Sequence, residues 1–133
     1  MTAQQETESI RVITEANCGN APRHEITRRF AAALAAADAN ELDLLLSPDV
    51  VWNLIGEAHF DGVAALLERA AQGPDATELR VLSVITHGRE ASIDGQLTMT
   101  DGTTQSICHV LRFANTAKTA RITSIRTYQT PGS

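Results

Sequence analysis

The chain has 133 residues, 43% of them hydrophobic and 20% charged, with a formal net charge of −5. This length fits one domain that can bury roughly two-thirds of its unfolded surface without metals or disulfides, and the balance excludes a disordered chain. The acidic excess disfavours nucleic acid as a main partner, because phosphate binding needs a basic face, and no apolar run approaches the roughly 18–20 residues that span a bilayer.

The polar, acidic start Met1-Thr2-Ala3-Gln4-Gln5-Glu6 does not read as a secretory signal. The expectation is a cytoplasmic protein with no membrane attachment, in which Cys18 and Cys108 are reduced thiols. Residues 1–19 read as a helical extension, since Ile10 and Ile13 stand three apart within Glu6–Ala16. The break Asn17–Pro22 follows, with Asn20 placed to cap a helix over Pro22–Ala37. Ile26, Phe30, Leu34 and Ala37 form its apolar stripe, and Arg23, Arg28 and Arg29 form a solvated face. Leu42, Leu45 and Leu46 belong to a shorter helix that ends before Pro48. Val50–Ile55 reads as a strand, and Asp61-Gly62 opens a third helix with Asp61 as its cap and Gly73-Pro74 as its end.

From Thr77 the period changes to two, giving strands over Leu79–His87, Glu90–Thr100, Gln105–Phe113 and Arg121–Gln129. Asp101-Gly102 is a hairpin signal, because a tight turn there needs positive φ. Helices first and a strand meander afterwards give an α+β class: N-terminal helices packed on a curved, mostly antiparallel sheet, in a single domain over 1–133.

Alternation puts His109 on the same face of its strand as Ile107, Leu111 and Phe113, with Cys108, Val110 and Arg112 opposite. An imidazole on an apolar face is either a structural histidine bonded to a carbonyl or hydroxyl, or a group that moves protons near neutral pH. Trp52 and Asn53 point to opposite faces of the first strand, and alternation leaves open which of them faces the interior. Trp52 suits a core, and a buried Asn53 needs a hydrogen-bond partner that a ligand could supply. Tyr128, near the end of the last strand, suits a cavity mouth or a subunit interface equally. No two histidines are spaced i, i+4 and no His/Asp/Glu cluster has ligand spacing, so no metal is expected. The chain has no GxSxG, phosphate loop or dinucleotide fingerprint, and no cofactor is expected.

Three stretches in order carry a family likeness: Phe30…Asp38-Ala39-Asn40…Leu45-Leu46-Ser47-Pro48-Asp49-Val50-Val51-Trp52, Phe60-Asp61-Gly62, and His109-Val110-Leu111-Arg112-Phe113 followed by Arg121-Ile122-Thr123-Ser124-Ile125. Over roughly residues 20–130 the chain resembles the nuclear transport factor 2-like superfamily, in its SnoaL-like branch. The resemblance implies a cone-shaped pocket between helices and sheet, and a homodimer through the sheet. The superfamily includes ketosteroid isomerase, polyketide cyclases, limonene epoxide hydrolase and scytalone dehydratase, so the fold does not select a function. At the positions of the isomerase's base, oxyanion-binding tyrosine and protonated carboxyl this chain has Asn53, Phe30 and His109, so steroid isomerisation is not expected. The epoxide hydrolases' carboxylate–arginine–carboxylate set has no counterpart either.

The SnoaL-like cyclases often carry an acid/base residue on the strand that holds His109. Two functions follow. One is an isomerase, cyclase or dehydratase acting on a small hydrophobic or carbonyl-containing molecule, with His109 transferring the proton, Asn53 binding an oxygen, Trp52 and Phe30 as walls and Tyr128 at the mouth. The other is a non-catalytic ligand-binding protein or dimeric interaction module.

Overall fold

The computed structural model describes residues 10–15, 21–73 and 75–130. Strand β1 (Arg11–Thr14) is followed by helices α1 (Pro22–Ala36) and α2 (Ala39–Leu45), then by β2 (Leu46–Leu54), β3 (Ala58–Asp61) and helix α3 (Val63–Ala71). The meander β4 (Ala76–His87), β5 (Glu90–Met99), β6 (Thr104–Phe113) and β7 (Ile122–Thr130) completes the chain. The strands form one sheet in the order β1-β4-β5-β6-β7-β2-β3. Pairings β1–β4 and β2–β7 are parallel and the others antiparallel. The expected α+β architecture therefore stands, and no helix among the described residues is long and apolar enough to cross a membrane.

Three local expectations need correction. Residues 11–14 form a strand, not a helix: Val12, Ile13 and Thr14 are a β-branched run, and the free edge of β4 offers backbone partners from Glu78 to Val81. The rest of the expected helix, Glu6–Ser9 and Ala16, lies outside the described residues, as do Cys18 and Asn20. Asp61 does not cap α3; it ends β3, a four-residue strand that folds back on β2, and Gly62 at φ 91° occupies the cap position. Arg23 is half-buried rather than fully solvated: its guanidinium carbon lies 3.9 Å from the Phe113 ring centroid and Nη2 donates to the carbonyls of Asn115 and Ala117. At the start of α2, Asp38 is the cap, accepting from the Glu41 amide at 3.2 Å.

The sheet bends because β4 carries one extra residue between Val81 and Ser83, opposite Gly95 and Asp94 of β5. Gly95 makes this possible, since a Cβ there would lie 2.3 Å from the Arg80 carbonyl oxygen. The helices fill the concave side. One core cluster gathers Phe30, Leu42, Trp52, Leu66, Leu111, Phe113 and Ile125. The other gathers Ile10, Ala31, Leu79, Val81, Ile93 and Ile107 under α1. Between them the packing is incomplete.

Candidate functional site

The gap between the two clusters is a cavity of about 110 Å³, walled by α1, the end of α3 and the inner faces of β2, β5, β6 and β7. Ala31, Leu34 and Ala35 are the residues of α1 that face it. Two of the three are alanines, which leaves room that larger side chains would fill. Trp52, Leu54, Leu97, Met99 and Ile107 add apolar wall, and Arg69, Gln105, His109, Thr127 and Gln129 supply the polar groups. An apolar cavity of roughly 150 Å³ takes up benzene, so this space suits a body of about one small ring.

His109 and Thr127 are opposite each other on β6 and β7, and Trp52 of β2 reaches the same hydroxyl from the far side. The Trp52 indole donates to Thr127 Oγ1 at 2.9 Å, and Thr127 Oγ1 stands 2.7 Å from His109 Nδ1. All three are buried. An indole N–H can only donate, so the hydroxyl accepts there and must place its own proton elsewhere. Among the described residues its one available acceptor is His109 Nδ1. Were Nδ1 to carry a proton instead, the hydroxyl proton would be buried without an acceptor, at a cost of about 1–3 kcal/mol. The network thus fixes the tautomer: Nδ1 accepts, and the ring proton sits on Nε2, the nitrogen left to the cavity. Phe30 packs edge-on against the imidazole, ring centroids 5.3 Å apart. Burial away from water pushes the His109 pKa down to about 4, so at neutral pH the ring is uncharged.

The proposed site residues separate by strand parity. Trp52 and His109 line the cavity. Phe30 braces His109 from behind without lining it. Asn53 does not reach the cavity: it has the opposite parity to Val50, Trp52 and Leu54, and its side chain bonds His59 Nδ1 on the outer face, where His59 Nε2 also meets Asp61 at 2.9 Å. Tyr128 also faces outward, beside Thr127 but with opposite parity. It borders a second, more open hollow of about 470 Å³ with Ile55, Leu82, Asp94 and Cys108. Burial and the Asp94 carboxylate hold the Cys108 thiol above its ordinary pKa, which makes it a poor nucleophile.

Thr127 and Arg69 went unnoticed in the sequence. Alternation with Ile125 could have placed Thr127 inside, but nothing local marks Arg69, whose α3 position reads as ordinary helix surface. Among the described residues no group of three or more His, Cys, Asp or Glu side chains could hold a metal ion.

The profile of the SnoaL-like domain family matches residues 27–124. No curated protein matches the sequence significantly. Many solved structures share the fold. A nuclear transport factor 2-like protein of unknown function from Burkholderia xenovorans LB400 is 13% identical with a TM-score of 0.71, covering 84% of this chain and 85% of that one. A proposed polyketide cyclase from Sinorhizobium meliloti is 20% identical with a TM-score of 0.63, covering 78% and 94%. An epoxide hydrolase of the LEH-like type from M. tuberculosis is 18% identical with a TM-score of 0.65, covering 80% of each chain. At these identities the likeness is one of fold.

Proposed function

This chain belongs to the SnoaL-like domain family, and on that premise we propose that it is a small-molecule pocket protein in which His109 donates one hydrogen bond to an oxygen of a largely apolar ligand. The observation that carries this is the relay Trp52 to Thr127 to His109, which leaves a neutral N–H facing an apolar cavity. Its natural complement is a carbonyl or hydroxyl oxygen. A buried N–H beside a cavity discriminates strongly for such an oxygen, because any other occupant leaves the donor unpaired.

The same relay argues against His109 as a general base. Its cavity-facing nitrogen already carries a proton, and burial resists the positive charge that a second proton would bring to the ring. The other ionisable side chain among the described lining residues, Arg69, is a cation and takes no proton at neutral pH. Proton-transfer chemistry of the isomerase, cyclase or dehydratase kind needs a base that this cavity lacks among those residues, so the binding function is favoured.

His109→Asn tests the assignment, since the amide oxygen can still accept from Thr127 while the Nε2–H is lost. A cyclic ketone that binds the native protein should lose about tenfold to a hundredfold in affinity, as for one buried hydrogen bond of roughly 1–3 kcal/mol, while the matching hydrocarbon binds both proteins alike. Equal losses for ketone and hydrocarbon would sink the donor role. Turnover of the ketone that vanishes in the variant would replace binding by catalysis.

Self-association is the second part of the proposal. Ile55, Leu82, Ile85 and Tyr128 are exposed apolar or aromatic side chains, and Leu82, Tyr128 and Ile55 border one hollow on the open side of the sheet. Such a patch supports a homodimer with the cavities facing away from the interface.

A further inference from the structure

We propose that the ligand is a small monocarboxylate, its acid group held by Arg69 at the cavity mouth and its oxygen-bearing far end meeting His109. This rests on the pocket function above and names the class of molecule that pocket takes. The cavity has direction. His109, Thr127 and Trp52 are buried at its floor, whereas Arg69, Gln105, Gln129, Leu97 and Met99 are half-buried. Gln105 and His109 lie on the same face of β6, four residues apart, or roughly 13 Å at strand rise. On β7, Thr127 and Gln129 mark the same descent over roughly 7 Å.

Arg69 is the cation among the described lining residues, and its donors are not used up. Nη1 gives one bond to the Gly73 carbonyl at 3.2 Å. Nη2 is 3.9 Å from Glu57, beyond hydrogen-bond length. Among the described residues no acceptor takes Nε or Nη2. A guanidinium with a free edge matches the two oxygens of a carboxylate, and its side chain is only 30% exposed, so such a bond is partly shielded from water. Arg69 is one positive charge with the Glu57 carboxylate, itself tied by Gln129 at 3.3 Å, standing 3.9 Å away, so no charge is left to offset a second anionic group and a monoanion is favoured over a dianion such as a phosphate monoester. The body between the two ends must be apolar and about one ring in size, which describes a hydroxy- or oxo-acid built on a single ring or a short chain.

The experiment is a calorimetric and NMR titration of the native protein at pH 7.5 and low salt. The probes are one-ring and short-chain hydroxy- and oxo-acids, each paired with its uncharged primary amide, for example 4-hydroxybenzoate with 4-hydroxybenzamide. The expected result is that at least one acid binds about tenfold or more tightly than its amide, with both moving the His109 Nε2–H resonance. Arg69→Gln should bring acid and amide affinities to within about twofold of each other, and Arg69→Lys should keep part of the preference. If acids and amides bind alike and both shift His109, the carboxylate assignment is overturned and the pocket function survives. If no probe binds or shifts His109, both fall together.

Discussion

The burial of His109 makes a quantitative demand on stability. In the folded chain its pKa is about 4, against 6.5 for a free imidazole. Between those values the unfolded chain holds a proton that the native chain refuses, so stability rises with pH across that window. The full contribution is present above about pH 6.5 and is lost as pH falls, with nothing further to lose below about pH 4. The linkage relation gives a loss of about 2 kcal/mol between pH 7.5 and pH 5, approaching about 3 kcal/mol below pH 4. His109→Asn removes the titrating group while retaining an acceptor for Thr127, and leaves the other ionisable groups in place. Urea unfolding of both proteins at half-unit steps from pH 7.5 to 4.5 isolates the term as the difference between two curves. The native protein should lose about 2 kcal/mol more than the variant on reaching pH 5. Parallel curves would mean that the imidazole is protonated as readily folded as unfolded, and the neutral-donor argument would fail with it.

Thr127→Val is nearly isosteric but strands the Trp52 N–H and His109 Nδ1 together. It should cost about 2–6 kcal/mol, at roughly 1–3 per orphaned group, read by urea unfolding and by the fluorescence of the sole tryptophan. Two-bond ¹H–¹⁵N spectra should give the Nε2–H tautomer in the native protein; an Nδ1–H signal would refute the relay. Gly95→Ala drives a Cβ to within 2.3 Å of the Arg80 carbonyl and should destabilise by about 3 kcal/mol, whereas a cost under about 0.5 would mean the bend relaxes freely. Leu82→Glu with Tyr128→Glu should halve the mass measured by light scattering without changing the circular dichroism; an unchanged mass would exclude this face as the dimer contact.

The meander is legible because its strands are long, with apolar residues alternating over most of each, and because Gly88 and Asp101-Gly102 mark two of its turns. Gly102 at φ 89° closes the β5–β6 hairpin as the Asp101-Gly102 pair implies. Short strands carry too few residues for a period to declare itself. In Arg11–Thr14 the helical spacing of Ile10 and Ile13 outweighs the β-branched run, and Ala58–Asp61 carries no strand period of its own. Both strands exist because a neighbour's backbone is there to pair with, which is a tertiary fact. Parity was a usable signal left partly unused. Val50, Trp52 and Leu54 are all apolar and already point Asn53 outward, and Ile125 with Thr127 does the same for Tyr128.

His109 lies on the inner face of its strand, as its alternation with Ile107, Leu111 and Phe113 implies, but its hydrogen bonding is invisible locally. What decides it is Thr127, eighteen residues on in β7, and what decides Thr127 is Trp52, seventy-five residues back in β2. Only the parallel β2–β7 pairing and the antiparallel β6–β7 pairing bring the three together. A histidine scanned alone offers two nitrogens and three protonation states. Once a donor-only indole occupies the hydroxyl, and the hydroxyl has one acceptor left, a single state remains. The residue type that suggested proton transfer is held in one hydrogen-bonding state by the neighbours the sheet supplies.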